Sequence, residues 1–260
     1  MNDTLLAPTP DSPIAPTGVP DNVPSNGART AWLAIGSLFA AGLLLFGTFS
    51  VVDVLAHEQT TEVTVHDGVS TVEIQSSDGR VQIRTADVAE VTASATVSEG
   101  LRATGVNRSI EGDRLVLRST CPNVGGTWCS VDWDLVVPLG TDIVLRSDGD
   151  RAEVIGEFGV VDLRSEHAGV VVDGVARSVV AVSEHGDVTV RMAEPPDSVR
   201  ALSEHGNVDI AVPDIDEGYR IEVSSNQGRT DIGVRTDPNA ARTIEARTDH
   251  GNATVSATPD

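Results

Sequence analysis

Val179-Val180-Ala181-Val182-Ser183-Glu184-His185-Gly186-Asp187-Val188-Thr189-Val190 returns, slightly altered, as Val199-Arg200-Ala201-Leu202-Ser203-Glu204-His205-Gly206-Asn207-Val208-Asp209-Ile210. With the serine of Ser-x-x-Gly as origin, further copies start at Ser76, Ser147, Ser165, Ser225 and Thr248. The positions four and two before the origin, and five and seven after it, are apolar or alanine in every copy, Thr230 excepted. Within each arm they alternate with other positions at the period of a strand that buries one face. A short turn joins the arms. The glycine three places after the origin suits a positive φ, and the origin hydroxyl can bond the turn backbone.

From Ser147 onward the origins lie 18 to 23 residues apart. A unit that small cannot bury its own apolar face, so each copy must cover the next. The expected fold is all-β: a right-handed parallel β-helix or solenoid, its hand following the general bias of parallel crossovers. Stacked antiparallel hairpins share the same period and are the alternative.

Composition agrees with a narrow interior. Of 260 residues 40% are hydrophobic but only 3% aromatic, so small and β-branched side chains must fill the core. The net charge is −21, and every basic residue is arginine. Such a surface repels phosphate backbones and excludes nucleic acid as a partner. It also keeps a long β surface soluble and discourages edge-to-edge pairing.

Residues 1–29 form a Pro-rich tail expected to be disordered. Residues 30–56 are expected as a transmembrane helix, since Thr30 to Val52 carries no charge and is long enough to span a bilayer. Arg29 on its N-terminal side favours a cytoplasmic N-terminus and an extracytoplasmic C-terminal domain in a single-pass cell-membrane protein. Val54-Leu55-Ala56 resembles a peptidase site and leaves cleavage near Ala56 open. Residues 57–140 hold the first copy and an interruption read as a cap that closes one end of the stack, and 141–257 hold the remaining copies. Within the interruption, Cys121 and Cys129 share the parity of inward residues at facing ends of what reads as a hairpin loop. In an oxidising compartment they are expected to form a disulfide.

The sharpest candidate for chemistry is the turn. Glu166-His167, Glu184-His185 and Glu204-His205 occupy equivalent positions, and stacking would set them about 4.8 Å apart. Carboxylates beside imidazoles suit a divalent metal such as Zn²⁺. Duplication of a polar turn along with its repeat explains the same residues without a ligand, and then no cofactor is needed. Asp249-His250 would rejoin the column, but Asn226-Gln227 breaks it one copy earlier, and Ala168 replaces the turn glycine in one copy. Catalysis is not expected. There is no lysine, few aromatics stand ready to stack on sugars, and no Gly-x-Ser-x-Gly, His-Glu-x-x-His or phosphate-cradling loop is present.

The unit Ser183-Glu184-His185-Gly186-Asp187-Val188-Thr189-Val190 and its sisters resemble the Ser-x-x-Gly-x-Val-x-Val repeat of the bacterial putative-adhesin family, a family of unknown function with a β-helix-like domain. The cysteine pair followed by Val137-Pro138-Leu139-Gly140 is similar to its high-GC Gram-positive members. The resemblance spans about residues 61–257 and has no catalytic residues to carry over. It implies a membrane-anchored, surface-exposed interaction module that binds a cell-envelope or protein ligand. A metal-binding or sensory ectodomain using the Glu-His turns is the alternative.

Overall fold

Side chains that alternate apolar and polar leave a strand two ways to hide its apolar face: against another sheet, or against copies of itself. In this chain the copies stack. The computed structural model describes residues 58–99, 104–121, 129–149 and 151–259. The expected tail (1–29) and membrane helix (30–56) lie outside the described residues. Among those described the structure is all-β, and no helix is long and apolar enough to cross a membrane. The strands are β1 (Glu58–Asp67), β2 (Thr71–Ser76), β3 (Val81–Ala86), β4 (Glu90–Glu99), β5 (Gly105–Glu111), β6 (Arg114–Thr120), β7 (Cys129–Pro138), β8 (Asp142–Ser147) and β9 (Ala152–Ser165). They continue as β10 (Val170–Ser183), β11 (Val188–Met192), β12 (Ser198–Ser203), β13 (Val208–Val212), β14 (Arg220–Ser225), β15 (Thr230–Ile232), β16 (Thr243–Thr248) and β17 (Ala253–Ala257).

Pairing between copies is parallel and falls into two ladders. The arms before the turn run side by side in the order β6, β2, β8, β9, β10, β12, β16, β14. The arms after the turn keep that order as β7, β3, β9, β10, β11, β13, β17, β15. The long strands β9 and β10 belong to both ladders, and each bends between them at a glycine, Gly156 or Gly174, with φ of 131° and 134°. Two arms and their turn make one rung. The register sets origin on origin: Ser183 lies beside Ser165 on one side and Ser203 on the other. Every inward position therefore meets its own counterpart above and below. Val179, Ala181, Val188 and Val190 are all fully buried, and burying each valine contributes roughly 1.5–3 kcal/mol relative to exposure.

Antiparallel pairs among the described strands occur only at one end: β1 with β4, β4 with β7, and β5 with β6. They cover the rung made by β6 and β7. That rung is an eighth copy that its sequence hides. Ser119 pairs with Ser76, Leu115 and Leu117 lie beside Val72 and Ile74, and Trp133 and Leu135 lie beside Val81 and Ile83. The sequence predicts a hairpin across the two cysteines. Instead, β6 and β7 are the separate arms of one rung, each paired to other strands, and extra residues are inserted in its turn.

Spatial order also departs from chain order. The copy at Ser119 stacks outside the copy at Ser76, and the copy at Thr248 inserts between those at Ser203 and Ser225. The physical reason at the second site lies in the side chains. The copy at Ser225 carries Thr230 and Ile232, which remain exposed at the end of the stack, whereas Ile244, Ala246, Ala253 and Val255 of the Thr248 copy are buried. Placing the copy that carries Thr230 outermost spares its hydroxyl from being sandwiched without a partner.

The turn glycines have a different cause from the one the sequence indicates. Gly79 has positive φ, but Gly186, Gly206, Gly228 and Gly251 do not. A Cβ on Gly206 would lie 2.3 Å from the carbonyl oxygen of Gly186, and one on Gly251 would lie 2.2 Å from that of Gly206. Neighbouring turns approach too closely for a side chain. Gly206→Ala is therefore expected to push rungs apart and cost about 1–3 kcal/mol, as overpacking does. Chemical denaturation checks this, and an unchanged midpoint would mean that the turns have slack.

Candidate functional site

Each repeat turn begins at a hydroxyl, buried in every copy except that of Ser225. Ser183 donates to the carbonyl of Ala168 at 2.9 Å, Ser203 to Gly186 at 2.9 Å, Thr248 to Gly206 at 2.7 Å and Ser225 to Gly251 at 2.7 Å. In these four the acceptor is on the preceding rung in spatial order, so the hydroxyls tie turn to turn, whereas Ser76 Oγ donates to the Asp78 carbonyl and Ser165 Oγ accepts from the Ala168 amide within their own turns.

Position two after the origin then forms a column of aromatic rings. His167 and His185 stack with centroids 5.6 Å apart, His185 and His205 at 4.9 Å, and His205 and His250 at 4.7 Å, with interplanar angles of 9°, 2° and 3°. His250 is thus the fourth member, which the sequence alone separates from the others by Asn226-Gln227. Gln227 stands outside it and ends the column, its Nε2 lying 3.1 Å from Nε2 of His250. Nδ1 of His167 meets the Asp148 carbonyl at 3.2 Å, that of His185 meets Glu166 O at 3.2 Å, and that of His250 meets Glu204 O at 3.3 Å. A carbonyl can only accept, so Nδ1 carries the proton in these three rings. The contact between Gln227 and His250 agrees, because an amide nitrogen donates to an unprotonated Nε2.

Position one after the origin forms a second column: Asp148, Glu166, Glu184, Glu204 and Asp249. Glu184, Glu204 and Asp249 line a shallow groove with Leu202, Arg200 and Arg247, and the imidazoles take no part in that lining. Arg200 approaches Glu245 at 3.4 Å and Arg247 approaches Asp249 at 4.0 Å. The Glu and His residues that the sequence places together are adjacent along the chain, yet no group of three or more His, Cys, Asp or Glu among the described residues is gathered to hold a metal ion.

The other candidate pair, Cys121 and Cys129, is joined by a disulfide with Cα atoms 5.7 Å apart. It closes the enlarged turn of the hidden rung, and the Cys121 amide donates to Ser77 Oγ at 2.9 Å on the neighbouring copy. On the outer face of the same rung Arg114 pairs with Glu73 at 2.7 Å, and this hydrogen bond holds the Glu73 carboxyl below its ordinary range. At the opposite end the buried ring of Tyr219 donates its hydroxyl to the Pro213 carbonyl at 2.8 Å, and burial pushes that phenol up.

No family model and no curated protein sequence matches the chain. Solved structures do resemble it. A putative cell adhesion protein from Clostridium sporogenes superposes with a TM-score of 0.50 at 10% identity, covering 77% of this chain and 100% of that one. A putative adhesin from Bacteroides fragilis gives a TM-score of 0.40 at 12% identity over 77% of this chain and 97% of its own. What this chain shares with the Clostridium structure, over 77% of its length, is the fold.

Proposed function

We propose that the chain is a membrane-anchored, surface-exposed, adhesin-like interaction module built on a right-handed parallel β-solenoid. The observation that carries this is the shared fold with the Clostridium sporogenes structure along its entire length. The two parallel ladders, each joining the same copies in the same order, support the solenoid. Flat outer faces of alternating Arg, Asp, Glu, Thr and Ser offer a polar contact area that a cell-envelope or protein ligand can cover without a deep pocket. The acidic charge makes a basic or neutral ligand the favoured partner. The reading assigns no catalytic step. It places the tail inside the cell, residues 30–56 in the membrane and the repeats outside.

Two measurements test it. Protease added to intact cells should degrade the repeats and spare a tag on residue 1, and the reverse pattern would refute the orientation. The full chain, immobilised, should retain material from isolated cell envelopes or extracellular matrix, and the unfolded Val188→Asp variant should not. Equal retention by both would refute a folded binding face.

A further inference from the structure

On the outer side of the arms before the turn, two rows of side chains run along the stack. Position one before the origin carries Arg146, Arg164, Val182, Leu202 and Arg247 on β8, β9, β10, β12 and β16. Position three before it carries Val144, Asp162, Val180, Arg200 and Glu245 on the same strands. In a chain of net charge −21, these positions hold four arginines and only two carboxylates. At their centre the half-buried Val180, Val182 and Leu202 line a shallow groove with Arg164 and Arg200. Within one copy Asp162 holds Arg164 at 3.1 Å and Glu245 holds Arg200 at 3.4 Å, so the charges are already ordered. An apolar centre ringed by fixed charge is the anatomy of a protein interface.

We propose that this face docks a second copy of the chain, the two stacks lying side by side about a two-fold axis that runs along the stack between the two rows. Such an axis sets each row against the other row of the partner, rung for rung. Asp162 then meets the partner's Arg164, Glu245 meets the partner's Arg247, and Val180 meets the partner's Val182, each contact occurring twice. The aliphatic stems of Arg146 and Arg200 cover the partner's Val144 and the partner's Leu202. Neighbouring axes fail. One placed on the arginine row sets Arg164 against the partner's Arg164, and one placed on the other row sets Asp162 against the partner's Asp162. One placed between the arginine row and the carboxylate column of the turns seats Val182 and Leu202 on the partner's Glu184 and the partner's Glu204. Seven arms, from β2 to β14, share this face, with six residues each along most of it. At about 4.8 Å per strand and about 3.3 Å per residue they offer roughly 700 Å² per copy. The total of about 1,400 Å² is what a specific, stable interface buries. A two-fold axis along the stack also brings β1 of both copies to the same end, as two chains anchored in one membrane need. That last point alone rests on the membrane reading above. The arms after the turn and the turn columns stay free for a ligand.

Sedimentation equilibrium of the full chain in density-matched detergent micelles tests the proposal. It should show monomer and dimer exchanging with a dissociation constant on the order of micromolar. Arg164→Asp and Asp162→Arg should each weaken self-association about tenfold or more, because each sets like charges together twice. An equimolar mixture of the two variants should restore it, since every such pair between the two chains is then of opposite sign. That recovery also shows that both variants are folded. Val180→Cys mixed with Val182→Cys should form an intermolecular disulfide on oxidation, and Thr189→Cys, on the arms after the turn, should not. A chain that stays monomeric up to about 100 μM would overturn the proposal and leave the arginines to an anionic partner. Dimers untouched by either charge variant would overturn it too and move the contact elsewhere on the chain. So would a mixture that fails to recover, or equal cross-linking at position 189. None of these outcomes bears on the adhesin-like reading, which retention of envelope material decides.

Discussion

Val188→Asp is expected to abolish cooperative folding. Val188 is fully buried and pairs with Val170 on one side and Val208 on the other. A carboxylate there has no cation within the core and no route to water, so it must be buried unpaired or protonated. The cost is about 4 kcal/mol or more, a large share of the 5–15 kcal/mol that holds a typical domain. Far-UV circular dichroism against denaturant measures it, and an unchanged midpoint would mean that the register is wrong. Position within the stack adds a finer comparison. Ile244→Asp should be as damaging as Val188→Asp, because Ile244 lies between Val199 and Ile221. Ile221→Asp, on the outermost rung and only partly buried, should cost clearly less, since its carboxylate can turn to solvent. A larger loss at Ile221 than at Ile244 would show that the Thr248 and Ser225 copies stack in chain order after all.

Removing the disulfide, by Cys121→Ser together with Cys129→Ser, is expected to cost about 2–3 kcal/mol, the chain-entropy value for so short a closed loop. The unfolding midpoint should fall by roughly 5–10 °C. The loss should also be local at first. The bond ties the end of β6 to the start of β7, and that rung pairs with the next copy of the stack through β2 and β3. Hydrogen exchange should therefore accelerate in β6 and β7 before it does in β10 to β13. Uniform acceleration throughout would mean that the end rung and the central rungs unfold as one unit.

Much of the candidate site was legible in the primary structure, and the part that was not has a specific cause. His167, His185 and His205 stand at one position of a visible repeat, so their alignment follows from the period. His250 stands at the same position, but nothing local reveals that its copy overtakes the one at Ser225. Likewise the Ser119 copy is invisible to a search for Ser-x-x-Gly, because its turn is enlarged and its glycine position is lost. A subtler signal was available: Leu115, Leu117, Trp133 and Leu135 keep the arm parity even though the turn between them does not.

The sequence by itself determined the arms of the visible copies, their inward faces and the pairing of the two cysteines, because alternation and parity are local properties set by the pleat of a strand. Only the tertiary structure decided which copies are neighbours. Linkers such as Pro213 to Gly218 do not specify whether the chain adds its next rung beside the last one or beyond it. At the open end the hydroxyl of Thr230 stays in water, whereas a covered position would bury it without a partner. The continuity of the four-ring column is a consequence of that choice.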